Sequence, residues 1–233
     1  MTLPKQLTYF ALQGIPQIRA GDLLPEIIFA AIADNGLFLQ DGDILILAQK
    51  IVSKSEGRLV NLTTVRPSAK ALELAEYLGK RPELVELILQ ESNEVLRTRP
   101  GTIIVEHKSG FICANAGIDH SNVKGNWGND EDWVLLLPED SDLSAAMIRA
   151  ELEVMSRARL GVVIIDSHDE RTGQDKSERP EIKNLGSVST RTSETIGVEL
   201  VYMATELDDG LILRVAIPLE SQVAMYTRVM WIL

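Results

Sequence analysis

"LGVVIID", residues 160–166, is a short unbroken apolar run that closes on an acid. Strict alternation of apolar and polar residues marks a strand with one wet face. A run without alternation marks a strand covered on both faces, as in a parallel sheet packed by helices. Upstream, "DGDILILAQK" at 41–50 reads as a turn, an apolar strand over Ile44 to Ala48, and polar residues returning at Gln49 and Lys50. Between and around these runs the period changes to that of helices. In "GDLLPEIIFAAIADNG" (21–36) Leu24, Ile27, Ile28, Ala31 and Ile32 recur at helical spacing, with Asp22 predicted as the cap and "DNG" as the stop. "SAKALELAEYLGKRPELVELILQESNEVLR" (68–97) carries two helical patterns divided by "GKRP", with Pro82 near the start of the second. "TIIVEH" (102–107) and "GFICA" (110–114) predict a hairpin turning at "KSG", and "SAAMIRAELEVMSR" (144–157) predicts another amphipathic helix. Up to about residue 168 the chain is therefore mixed α/β, of the α+β class, with no internal repeat.

The last 65 residues read differently. "SHDERTGQDKSERPEIKNLGS" (167–187) has too few apolar residues to hold a face and is expected to be a loop or mobile segment. "IGVELVYMATEL", "DDGLILRVAIPL" and "VAMYTRVMWIL" are strand-like, the first two joined by a "DDG" hairpin signal, and the apolar end "VMWIL" is expected to be buried.

Composition narrows the function classes. The chain has 233 residues, 45% of them hydrophobic, enough for a sizeable core. With 34 acidic against 23 basic residues the formal charge is −11, which argues against coating nucleic acid or an anionic membrane but not against binding one nucleotide. No apolar run reaches a membrane span of about 20 residues, and the N-terminus lacks the pattern of a secretion signal, so the expected location is cytoplasmic. Cys113 is the single cysteine, read as a small buried core residue.

No GxxxxGK[ST] loop, GxGxxG turn, GxSxG elbow or Cys/His zinc cluster occurs. What remains is a set of polar residues at strand ends: Gln49, Lys50, Ser53 and Lys54; Asp119 and Asn122; Asp166 and Ser167. Hard divalent cations take a few carboxylates together with phosphate oxygens, and aspartates at neighbouring strand ends can supply them. Each aspartate taken singly reads first as a turn residue bonded to its own backbone.

Five blocks, "GIPQIRAGD" (14–22), "DGDILILAQKIVSKSEGR" (41–58), "RPELVELILQESNEVLRTRPGTIIVEHKSGFICANAGIDHSNV" (81–123), "LLLPEDSDLSAAMIRAELE" (135–153) and "GVVIIDSH" (161–168), resemble in order the coenzyme F420-0:L-glutamate ligase family. The resemblance covers about residues 8–168; residues 169–233 form a divergent segment, expected to belong to the same globular unit, in which only "RTGQ" (171–174) faintly matches the family pattern. It implies a gamma-glutamyl ligase-like fold and an intertwined homodimer. The implied activity is GTP-dependent: a carboxylate of the deazaflavin precursor is phosphorylated, and the amine of L-glutamate displaces phosphate from the acyl phosphate. The implied cofactors are GTP as co-substrate, Mg²⁺ or Mn²⁺, and K⁺. By the same carry-over Ile15, Pro16, Gln17, Ile18, Gln49, Lys54 and Asn122 contact nucleotide, Lys54 being the catalytic charge on phosphate. Asp119, Asp166 and Ser167 would hold divalent metal, while His120 and His168 are read as structural or solvent-facing. A GTP- or metal-binding homologue without catalysis, and a structural or regulatory protein keeping only the fold, are the two other classes this pattern admits.

Overall fold

A computed structural model describes residues 6–120, 123, 125, 127–166, 201–207, 210–216 and 226–232. The chain divides into two compact units, Met1–Ser55 with Asp140–Leu233 and Glu56–Glu139.

The first unit is built on a parallel sheet. Its strands are β1 (Gln6–Ala11), β2 (Ile44–Ala48), β8 (Gly161–Ile165) and β11 (Tyr226–Ile232), in the order β1-β11-β2-β8. All three pairings are parallel, with Ala11 opposite Trp231, Trp231 opposite Ile46, and Ala48 opposite Ile165. Both runs that read as doubly covered strands are so: every residue of β8 is buried, and β2 is buried over Ile44–Leu47. Helices α1 (Leu24–Asp34) and α5 (Ser141–Ser156) pack on each other and on this sheet, with Ile28, Ile32, Leu45, Leu47, Leu152, Val162 and Ile164 in one core.

The turn before β2 sets its register against β8. Asp43 accepts from Gln40 N–H through its carboxylate (2.8 Å) and from Gly161 N–H through its carbonyl (2.9 Å). Asp41 and Arg159 form an exposed ion pair at 2.8 Å beside it.

The predicted cap of α1 is wrong by one position. Leu23 is the N-cap, without a side-chain bond, and the Asp22 carboxylate instead accepts from Arg19 N–H at 2.7 Å, closing the preceding turn. Helix α5 starts at Ser141, three residues before the predicted start, because the Asp140 carboxylate accepts from Leu143 N–H and caps it there. Residues 229–232 of the "VMWIL" segment belong to β11, an inner strand flanked by β1 and β2 rather than a sheet edge. Strands β9 (Val201–Leu207) and β10 (Gly210–Ala216) pair antiparallel with Leu207 opposite Gly210, which is the expected "DDG" hairpin. The polar segment 167–187 lies outside the described residues.

The second unit contains strand β3 (Leu59–Asn61), helices α3 (Ala69–Leu78) and α4 (Pro82–Gln90), the antiparallel meander β4 (Ser92–Arg99), β5 (Thr102–His107), β6 (Ile112–Ala114), and β7 (Trp133–Leu135), which pairs with β3. Ser68 caps α3, Gly79 ends it in the left-handed region at φ 64°, and Pro82 opens α4, as "GKRP" predicts. The second helical pattern stops sooner than its apolar spacing suggests: residues 92–97 belong to β4. The Ser92 hydroxyl donates to Ile88 O, and the Asn93 amide donates to Glu106 and to His107 O, so both polar side chains bond across the helix end and onto β5. Cys113 is buried in the core with Leu78, Val85, Ile88, Ile103 and Val105, as expected. No helix among the described residues is long and apolar enough to cross a membrane.

His107 gives this unit a pH dependence. Its Nδ1 accepts from Ser109 N–H at 3.1 Å, its ring stacks on Phe111, and burial lowers its pKa; Glu91 opposes that effect, and Arg58 and Lys108 add to it. The folded state therefore prefers the neutral ring more than the unfolded chain does. His107 contributes stability that is fully present above the ordinary histidine value of 6.5 and is lost as pH falls from there through the lower folded value. Urea unfolding between about pH 5 and 8 is expected to show this loss, and His107→Asn, which keeps an acceptor for Ser109 N–H, to flatten it. An unchanged slope in the variant would assign the dependence to another group.

Candidate active site

In the first unit, two of the polar sets read from sequence, at Gln49–Lys54 and Asp166, and the segment 15–18 taken from the family resemblance leave the carboxyl edge of one parallel sheet. Ligands in open α/β sheets bind at this edge, because loops and helix starts leave the strands there. Strand β1 runs into the loop holding Ile15, Pro16, Gln17 and Ile18. Strand β2 runs without a break into helix α2 (Gln49–Ser55), and β8 ends at Ile165, so Gln49 and Asp166 directly follow the paired residues Ala48 and Ile165.

The loop is held at both ends. The Asn35 side chain that follows α1 accepts from Gln13 N–H (3.1 Å) and donates to Gln13 O (2.9 Å), while Gly21 N–H donates to Ser55 O at the end of α2 (2.8 Å). Ile18 is buried in the core and Ile15 packs against it, leaving Pro16 and Gln17 exposed. In α2, Ile51 and Val52 enter the same core. Gln49, only 2% exposed, donates from Nε2 to Ser53 Oγ at 2.6 Å, one helical turn on. Lys54 stands half-buried in the last turn of α2 and is the more open of the two α2 candidates.

In the second unit the loop "NAGID" is tightly constrained. Asn115, Ala116 and Gly117 all have positive φ, at 51°, 54° and 66°, a run of left-handed residues that two of the three side chains disfavour. Ala116 is buried in the core and Leu137 lies over Gly117. Asp119 is then fixed by a two-way backbone bridge to Leu135, N–H to O at 2.9 Å in each direction. A Cβ on Gly117 would stand 2.6 Å from Leu137 Cδ1. Gly117→Ala combines left-handed strain with that overlap and is expected to cost about 1–3 kcal/mol by chemical denaturation; a loss under about 0.5 kcal/mol would mean Leu137 simply turns aside.

His120 is exposed, yet partial desolvation holds its pKa below the ordinary value; the positive charges of Lys80 and Arg81 add to that, and Asp119 opposes it. Lys80 and Arg81 are charges near His120 that the sequence reading does not single out; in the sequence they are only the "KR" inside a helix break.

Asp119 belongs to the second unit and Asp166 to the first. Asn122, Ser167 and His168 lie outside the described residues. Among the described residues no group of three or more His, Cys, Asp or Glu side chains could hold a metal. Asp119 in the second unit and Asp166 in the first are each half-buried, and a carboxylate is a hard oxygen donor of the kind that suits Mg²⁺ or Mn²⁺.

A family model described as F420-0:Gamma-glutamyl ligase matches residues 14–177, starting later and ending later than the resemblance at 8–168, and taking in "RTGQ". Among curated proteins, the coenzyme F420:L-glutamate ligase of Methanothermobacter thermautotrophicus is 41% identical over 161 residues, 69% of this chain and 62% of that protein. The proteins of the same name from Archaeoglobus fulgidus (38% over 159 residues, 68% and 59%) and Methanopyrus kandleri (41% over 151 residues, 65% and 56%) are similar in the same way. The match thus spans about three-fifths of the length of these relatives. With 14–177 matched by one family model and the polar strand-end residues up to Asp166 inside that span, the chain belongs to the F420-0:gamma-glutamyl ligase family.

Proposed function

We propose that the protein ligates L-glutamate to the deazaflavin coenzyme F420 precursor at the expense of GTP, through an acyl phosphate. The observation that carries this reading is that family membership coincides with an ordered set of polar groups at the carboxyl edge of a parallel sheet, the usual place for a nucleotide. The loop of Ile15, Pro16, Gln17 and Ile18 would meet the nucleotide, helped by Asn122, and its two anchored ends supply the rigidity such a contact needs. Gln49, bonded to Ser53, would order α2 so that Lys54 is presented to phosphate as a point charge.

Asp119 in one unit, and separately Asp166 with Ser167 in the other, would be ligands for a divalent ion. When bound, that ion supplies positive charge to the phosphate oxygens, the electrostatic part that a P-loop supplies elsewhere. In the reaction a precursor carboxylate oxygen attacks the γ-phosphorus and GDP leaves with the bond electrons. The glutamate amine then attacks the acyl carbon, the C–O bond to phosphate breaks, and the amine proton is lost. Lys54 would stabilise the charge that builds on the β–γ bridging oxygen as GDP departs. K⁺ and a homodimeric assembly are part of the same proposal.

Incubating the purified protein with GTP, Mn²⁺, L-glutamate and the precursor is expected to release GDP and to add one glutamyl unit to the precursor. GDP release without that addition would leave a nucleotide hydrolase, and neither would sink the ligase reading.

A further inference from the structure

The corner between α3 and α4 carries an ammonium that no described residue pairs. Gly79 turns the chain out of α3, Lys80 N–H closes onto Ala75 O at 3.1 Å, and Pro82 starts α4, so the backbone of Lys80 and Arg81 is fixed from both sides. Arg81 is committed to carboxylates, with Nη1 at 2.7 Å from Asp132 and Nε at 3.5 Å from Glu83. Lys80 has no such partner among the described residues, although it is half-buried and desolvation lowers its pKa. Its charge and that of Arg81 both reach His120, next to Asp119.

A partly desolvated cation without a counter-ion costs folding free energy, since burial is repaid only when charge is paired and hydrogen-bonded. Such an uncompensated cost is tolerated where a ligand supplies the missing partner. We propose that Lys80 binds an oxyanion, a carboxylate or phosphate of a substrate, beside the Asp119 loop. The substrates follow from the ligase reading of the previous subsection; the anion chemistry follows from the corner itself. The competing role for Lys80 is structural, its aliphatic stem covering apolar surface.

Lys80→Met keeps the stem and removes the charge, and Lys80→Arg keeps the charge. The test measures thermal unfolding of wild type and both variants, alone and with GDP plus Mg²⁺, with L-glutamate, and with the acidic precursor. The expected result is that ligand-free Lys80→Met is at least as stable as wild type and that its apparent affinity for one of the three is weaker by about 10- to 100-fold, the range of one charge-assisted hydrogen bond. Lys80→Arg should recover most of it. Loss in the GDP arm assigns the anion to nucleotide phosphate, and loss in either other arm to the acidic substrate concerned. Equal affinities in all arms, no protection of wild type by any probe, or a destabilised ligand-free Lys80→Met would overturn the proposal. Probe binding that depends on Lys80 in a wild-type protein without turnover would sink the ligase reading and leave this one standing.

Discussion

Lys54→Ala is expected to slow glutamate ligation about 100- to 1,000-fold, the usual cost of removing one preorganised charge from a developing oxyanion. Helix α2 has anchors other than Lys54. The side chain sits half-buried in the last turn of α2, whereas Ile51 and Val52 anchor that helix in the core and Gln49 and Ser53 bond to each other. Alanine is the best helix former, so α2 loses a charge and keeps its turn. The drop should appear in kcat, and Lys54→Arg should fall between, because guanidinium keeps the charge but not the point-like shape. Ligation within about threefold of wild type in Lys54→Ala would move the catalytic charge elsewhere.

Glu91→Ala is expected to cost about 2–3 kcal/mol of stability, below the 3–5 typical for breaking a fully buried pair, because both partners keep some solvent contact. Glu91 closes α4 and gathers two cations. Arg58 Nη2 lies 2.6 Å from one carboxylate oxygen and Lys108 Nζ 3.4 Å from the other, while Arg58 Nε donates to Leu137 O at 2.8 Å. Removing the carboxylate leaves the Arg58 charge held in place by Leu137, with no anion facing it. The same substitution removes the one contribution that raises the His107 pKa and keeps the Arg58 and Lys108 charges that lower it. Histidine titration should then move further down in Glu91→Ala, a coupling that simple loss of packing would not give. A stability change under about 0.5 kcal/mol in chemical denaturation would mean that solvent screens the pair completely.

Part of this architecture can be read from sequence because it is set locally. The unbroken runs at 44–48 and 161–165 become doubly covered strands, and Ser68, Gly79 and Pro82 bound two helices where turn and cap chemistry put them. The parts that local spacing does not give depend on distant partners. Residues 92–97 carry a helical apolar spacing but extend along β5, where Asn93 finds Glu106 and the His107 carbonyl. The place of β11 between β1 and β2 joins the two ends of the chain, and no local period encodes it. The site shows the same division. Gln49, Lys54 and Asp166 stand out as polar residues following apolar strands, whereas their roles came from the ordered blocks of the family resemblance. The charges of Lys80 and Arg81 gain meaning only when the fold brings His120 near them.

Carboxylate labelling of the precursor with oxygen-18 tests the proposed ligation most directly. With GTP, Mn²⁺, L-glutamate and doubly labelled precursor carboxylate, the account predicts that one labelled oxygen leaves in inorganic phosphate and the other stays in the new amide. Inorganic phosphate released without label, or GTP consumed with no glutamyl product, would contradict it.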